Sequence, residues 1–201
     1  MSISTKICQA HPMKKEYSRK ITQKISGAHI AILQSRWHSE HTDRMVSACK
    51  EILEKSSVKN IEHLVLPGAY ELPLAAKIAA KSKRFDALIV FGAIVKGETD
   101  HYEVILQTCI RELGRVMYDY EIPIIMEVMP VHDLKHLIAR SNGKNNKGIE
   151  AAQAAIEMIA WMRSFDWVMG VGMDVGTPIL GTSVSVPASA IVFILAIESF
   201  I

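Results

Sequence analysis

Four short clusters combine residue types that can bind and transform a small polar molecule. The most chemical is Lys96-Gly97-Glu98-Thr99-Asp100-His101, which follows an apolar run and precedes a helical pattern. A helix starting near His101, capped by Thr99 or Asp100, presents free N–H groups and a partial positive charge, a natural seat for phosphate. Gly97 lets backbone approach a ligand, and Lys96 adds a cation. His101 then lies about one turn from the anion, and an imidazole is the side-chain type best suited to act as general acid or base. The second cluster, Pro67-Gly68-Ala69-Tyr70-Glu71, offers Glu71 as an acceptor for sugar hydroxyls. The third, Ser35-Arg36-Trp37-His38, offers the Trp37 indole for stacking on a flat heterocycle. The fourth runs from Arg140 to Gly148 and gathers Arg140, Lys144 and Lys147 around two glycines, suited to gripping phosphate. Each cluster taken singly is also compatible with an ordinary turn or solvated loop. Their combination of anion, hydroxyl and aromatic recognition is what points to a site.

The elements that must position these clusters are legible from periodicity. Compact apolar runs at 28–33, 61–66, 86–95 and 122–129 read as strands. Between and after them, helical spacing marks 40–55, 71–82, 101–118, 132–140 and 147–163, with Pro73 tolerated in a first turn. Strands alternating with helices give an α/β fold with a parallel sheet. The apolar character of the third and fourth strands predicts burial on both faces. Right-handed crossovers put all the strand C-terminal ends on one side, where ligands bind in such sheets. The four clusters follow those ends.

Composition bounds the function. The 201 residues carry a net charge of +2, with 49% hydrophobic and 22% charged residues, which excludes wholesale disorder. The charge is unevenly placed: residues 1–26 balance to +5, 27–163 to zero and 164–201 to −3. A neutral body lacks the footprint of a nucleic-acid binder. Cys8, Cys49 and Cys109 show no ligand spacing for zinc and no disulfide framework, so reduced thiols in a cytoplasmic protein are expected. The basic head 1–26 reads as an extension, with an organellar transit segment as the alternative. The charge-free stretch 175–197 is interrupted by Pro178 and Pro187, and its dense apolar part, 190–197, falls short of the roughly 20 residues of a membrane span.

The motifs PGAYELPLAAK and GAIVKGETDHYEVI, with the later NKGIEAAQAAIEM, resemble the 6,7-dimethyl-8-ribityllumazine synthase family of riboflavin biosynthesis over roughly 27–165. The resemblance implies a flavodoxin-like three-layer α/β/α fold with a four-stranded parallel sheet. It implies a domain at 27–165 between a basic extension, 1–26, and an apolar one, 166–201. It implies a transferase that condenses a ribitylamino-pyrimidinedione with 3,4-dihydroxy-2-butanone 4-phosphate, without metal or organic cofactor. By matching position, Trp37 stacks on the pyrimidine, and Ala69, Tyr70 and Glu71 hold the heterocycle and ribityl chain. Ala93, Ile94 and Val95 supply backbone contacts, and Met126 stands where a neighbouring subunit's Phe is usual. Glu98 and Thr99 form the phosphate turn, joined by Arg140 across a subunit boundary and by Lys144, and His101 transfers protons. The expected partners are small-molecule substrates and further copies of the chain, as a pentamer or larger assembly with sites between subunits. The departures are Trp37-His38 for a more usual Phe-Asn, Met126, and a loop at 140–148 one residue shorter than RAGTKAGNKG. Met126 and the shorter loop leave open a second reading, a lumazine- or flavin-binding shell with little catalysis.

Overall fold

In the computed structural model, residues 24–170 are described, with side chains to residue 164. Of the basic head, 1–26, only 24–26 fall within this range, with Ile25 buried in the core, and the charge-free stretch 175–197 lies outside it. Four strands, β1 (His29–Ser35), β2 (Asn60–Leu66), β3 (Ala87–Val95) and β4 (Ile124–Val131), form one sheet in the order β2-β1-β3-β4. Every pairing is parallel, with Leu33 opposite Leu64 and Val90, and Val90 opposite Met126. The helices are α1 (Ser39–Lys55), α2 (Leu72–Lys81), α3 (His101–Tyr120), α4 (Leu134–Arg140) and α5 (Lys147–Gly170). The α/β fold with a parallel sheet is thus as the periodicity predicts. The chain divides into two units, 1–165 and 166–201, and of the second only the end of α5 is described.

Alternation along the strands builds two cores. Ile30 and Ile32 of β1 and Ile89 and Phe91 of β3 face α1 and α5, where Met45, Leu53 and Ile156 are buried. Ala31 and Leu33, with Leu88 and Val90, face α2 and α3, where Leu72 and Leu113 are buried. Helices on both faces of the sheet make three layers. β3 is buried along its first eight residues, as expected for a strand covered on both sides.

β4 departs from expectation. Its burial is broken: Met126 is 38% exposed, Pro130 is exposed, and Glu127 interrupts the apolar run. The reason is position: β4 is an edge strand, paired only with β3. An apolar run of this length is compatible with a covered central strand or a partly covered edge strand, and the sheet order decides between them.

The link between α4 and α5 is fastened to α1. Asn146 donates through Nδ2 to the Arg44 carbonyl at 3.2 Å and to the Ser141 carbonyl at 2.9 Å, and its Oδ1 accepts from Gly148 N–H at 2.8 Å. Gly148 packs so tightly that a Cβ built there lies 1.9 Å from the Met45 carbonyl oxygen. Gly114, on the exposed side of α3, has nothing within 4 Å of such a Cβ. Gly148→Ala is therefore expected to destabilise the fold by roughly 2–3 kcal/mol or more, through forced separation of α1 and α5. Gly114→Ala is expected to stabilise it by about 1 kcal/mol, through lower unfolded-chain entropy and better helix propensity. Urea unfolding of both variants checks the pair, and equal midpoints would contradict this packing.

Candidate functional site

The sheet order reverses direction between β1 and β3, since β2 lies beyond β1 and β4 beyond β3. Outside the strand ends at that reversal a crevice opens, the usual ligand position in open α/β sheets. A cavity of about 730 Å³ lies there, in the size range of small-molecule sites. Trp37 and His38 enter from the end of β1 and Gly68 to Glu71 from the turn after β2. Ala93, Ile94 and Val95 enter from the end of β3, and His101 from the start of α3.

Local backbone explains how these side chains are presented. His38, the residue before α1, has φ 58° and ψ 37°, a left-handed conformation that turns the chain sharply from strand to helix. Beside it, Trp37 is 70% exposed, so its indole face is available to a ligand. Arg36 N–H donates to the Leu66 carbonyl at 2.9 Å, tying the turns after β1 and β2 together. Gly68 makes their approach possible: a Cβ there would lie 2.9 Å from Glu71 Oε2 and 3.7 Å from Trp37 Cδ1. The Glu71 carboxylate and the Trp37 indole thus converge on one glycine. Ala69–Glu71 form a single 3-10 turn leading into α2, with Pro73 in its first turn.

His101 opens α3, preceded by Asp100. The side chain of Asp100 makes no cap hydrogen bond to the helix, contrary to the capping expected at Thr99 or Asp100. The first-turn N–H groups thus lack that side-chain cap, and the helix end retains its attraction for an anion. Trp37, Ala69, Tyr70, Glu71, Ala93, Ile94, Val95 and His101, all singled out from the sequence, share this cavity. His38, Val104 and Ile105 also line it without having been assigned there. The apolar i, i+3, i+4 pattern that begins at His101 carries the signal for Val104 and Ile105.

The remaining candidates lie elsewhere in the chain. Arg140, at the end of α4, lines a second cavity of about 310 Å³ with Glu127, Met129, Pro130, Val131, His132, His136 and Lys147. Its Nη1 donates to the His136 carbonyl at 3.2 Å. Lys144 stands exposed in the 3-10 turn Gly143–Asn145, and Met126 is on the edge strand; neither lines the larger cavity. Glu98 and Thr99 are exposed just before α3, next to the larger cavity but outside its lining. Strand-end spacing therefore led to the edge of the sheet where both cavities lie but did not separate one cavity from the other.

Sequence reading missed Glu127, although a lone carboxylate inside IPIIMEVM was a usable signal. Burial pushes its carboxyl up to about 7, with Lys147 pulling it down and Glu150 pushing it up. The same burial effect pushes the Cys49 thiol up to about 12, reinforced by Glu127 and countered by Lys50. Cys49 and Cys109 are free and buried. Among the described residues no group of three or more His, Cys, Asp or Glu is placed to hold a metal ion, and no helix is long and apolar enough to cross a membrane.

Comparison with known proteins adds an independent line. The sequence model of the 6,7-dimethyl-8-ribityllumazine synthase family matches residues 27–163. The chain is 35% identical over 150 residues to the 6,7-dimethyl-8-ribityllumazine synthase of Ruthia magnifica subsp. Calyptogena magnifica, covering 71% of this chain and 90% of that one. It is 33% identical over 137 residues to the enzyme of the same name from Thermococcus kodakarensis, covering 68% and 88%. It is 32% identical over 139 residues to that of Prochlorococcus marinus, covering 66% and 88%. Among solved structures, a GDP-L-fucose synthetase from Naegleria fowleri overlaps at a TM-score of 0.38 and 13% identity, covering 79% of this chain and 51% of that one, a likeness on which nothing here rests. With a family model spanning the whole sheet and curated relatives matched over most of their length, the chain belongs to the 6,7-dimethyl-8-ribityllumazine synthase family, transferases of riboflavin biosynthesis.

Proposed function

We propose that the chain condenses 5-amino-6-(D-ribitylamino)uracil with 3,4-dihydroxy-2-butanone 4-phosphate, giving 6,7-dimethyl-8-ribityllumazine, phosphate and water. The observation that carries this reading is the shared cavity of Trp37, Glu71 and His101. The exposed indole of Trp37 stacks on the pyrimidine, and Glu71 accepts hydrogen bonds from the ribityl hydroxyls. The end of β3 offers backbone N–H and carbonyl groups to the edge of the heterocycle. The butanone phosphate sits toward the start of α3, where free N–H groups favour the phosphate, with Glu98 and Thr99 in the adjoining turn. His101, between the two substrates, moves the protons of imine formation, phosphate elimination and ring closure. Holding both substrates in one orientation supplies much of the remaining acceleration, which in favourable cases reaches roughly 7–11 kcal/mol.

The separation of Arg140 from the His101 cavity bears on assembly. For Arg140, Lys144 and Met126 to act on the same substrates, they must come from a second copy of the chain. Exposed apolar side chains support such contacts: Leu74 and Ile78 on α2 are each 63% exposed, and Val104 on α3 is 60%. A homo-oligomer, pentameric or larger, with sites between subunits is part of this proposal. So is a cytoplasmic location, in keeping with the free thiols.

The experiment is to mix the purified protein with both substrates and follow the lumazine chromophore. Formation above the uncatalysed rate supports the proposal, and tight lumazine binding without turnover supports a binding shell instead. His101→Ala should lower turnover roughly 100-fold or more with the unfolding midpoint preserved, since the side chain is exposed. Unchanged turnover removes His101 from the mechanism. Trp37→Ala should raise KM for the pyrimidine roughly five- to ten-fold. Gly68→Ala should also raise that KM, because its Cβ displaces the Glu71 carboxylate rather than backbone. An unaltered KM in both variants would contradict the stacking arrangement.

A further inference from the structure

The smaller cavity contains a carboxylate that the proposed condensation does not use. Glu127 is the single charged residue of β4. It shares strand parity with Ile125 and Met129, both packed in the core under α1 and α5, so it points to that face of the sheet. The groups around it can be named element by element. From α5 come Lys147 and Glu150, which form an ion pair with each other. From α4 come His136 and Arg140, and from the segment after β4 comes His132. From α1 comes the Cys49 thiol, and on β3 the register partner is the apolar Phe91. Two permanent cations, Arg140 and Lys147, therefore line one cavity of about 310 Å³ with a half-buried carboxyl.

A half-buried carboxyl and an incoming oxyanion have the same preferred partners. Both accept charge-assisted hydrogen bonds from guanidinium and ammonium groups, so they compete for them. We propose that Glu127 is a positioning residue that sets the pH window of anion binding at Arg140: protonated, it leaves the positive charge of the cavity to an oxyanion, and ionised, it offsets that charge. The inference deepens the reading of Arg140 as a phosphate-gripping group and rests on it.

The sign follows from the carboxyl's position near neutrality. Below about 7 it is neutral and the cavity is at its most positive. As pH rises through that value, a negative charge appears in the cavity that both cations line and repels a bound anion. By reciprocity, a bound anion must raise the pH at which Glu127 ionises. His132 and His136 line the same cavity, so the effect has to be isolated by comparison with a variant that keeps both.

Sulfate is the suitable probe, because it remains a dianion throughout the range. Its affinity for the full chain is measured by calorimetry at about pH 5.5 and about pH 8.5, on either side of the carboxyl's ionisation. Wild type and Glu127→Gln should bind alike at the lower pH. At the higher pH the wild type should bind about ten-fold more weakly than the variant. Glu127→Ala should show the same split, which guards against a local misfit of the amide. Arg140→Gln should abolish the binding, which locates it in this cavity. Parallel pH profiles in wild type and both Glu127 variants overturn the proposal. So does sulfate binding that survives Arg140→Gln, or no binding at either pH. Lumazine formation is assayed on the same preparations. A split in sulfate affinity without lumazine formation would reject the proposed reaction and leave this role of Glu127 standing.

Discussion

Burial of β3 on both faces is the constraint from which the rest of the architecture follows. A strand with eight consecutive buried residues needs a partner strand on each side and a helical layer on each face. β1 and β4 supply the strands, α1 and α5 one layer, and α2 and α3 the other. Gly92, midway along β3, shows how closely the layers meet, since a Cβ there would lie 3.2 Å from Leu72 and 3.3 Å from Ser35 Oγ. Because β1 leads outward to β2 on one side and β3 leads outward to β4 on the other, the connections diverge at the β1–β3 boundary. The crevice between diverging connections is where Trp37, Glu71 and His101 meet.

Much of this was legible from residue types and spacing. The apolar runs around Ile30, Leu64, Ile89 and Ile125 marked four strands, and their alternation with helical patterns marked a parallel sheet. Element boundaries agreed to within a few residues; α5 extends furthest beyond expectation, to Gly170. The status of β4 was less legible, because hydrophobicity reports that a segment is covered without reporting by what. An edge strand of a parallel sheet still buries one face under helices and part of the other. The exposed Met126 and Pro130, which share parity with Ile124 and Val128, mark where that cover thins.

The site was legible to a lesser depth. Parallel topology puts every strand's C-terminal end on one edge, so clusters following strands could be collected there without knowing any contact. It does not say on which side of β3 each cluster falls. Trp37, Glu71 and His101 fall together, whereas Arg140 falls with Glu127 and Lys147 in the second cavity. That division is physical: α4 and α5 follow β4, whereas the turns after β1, β2 and β3 converge on the first cavity. His38 escaped assignment because its role depends on a left-handed backbone conformation, which its residue type does not announce.

The proposed condensation would require little of the protein beyond placement: an aromatic face, a hydroxyl acceptor, an anion-attracting helix start and one imidazole. In that proposal all four act on one substrate pair in the cavity at the β1–β3 boundary. The most direct measurement is a crystal structure of the protein with the ribitylamino-pyrimidinedione bound. The pyrimidine should be stacked on Trp37, with the ribityl hydroxyls within hydrogen-bond distance of Glu71 and His101 facing the reacting amine. A heterocycle seated elsewhere, with the Trp37 indole uncovered, would contradict it.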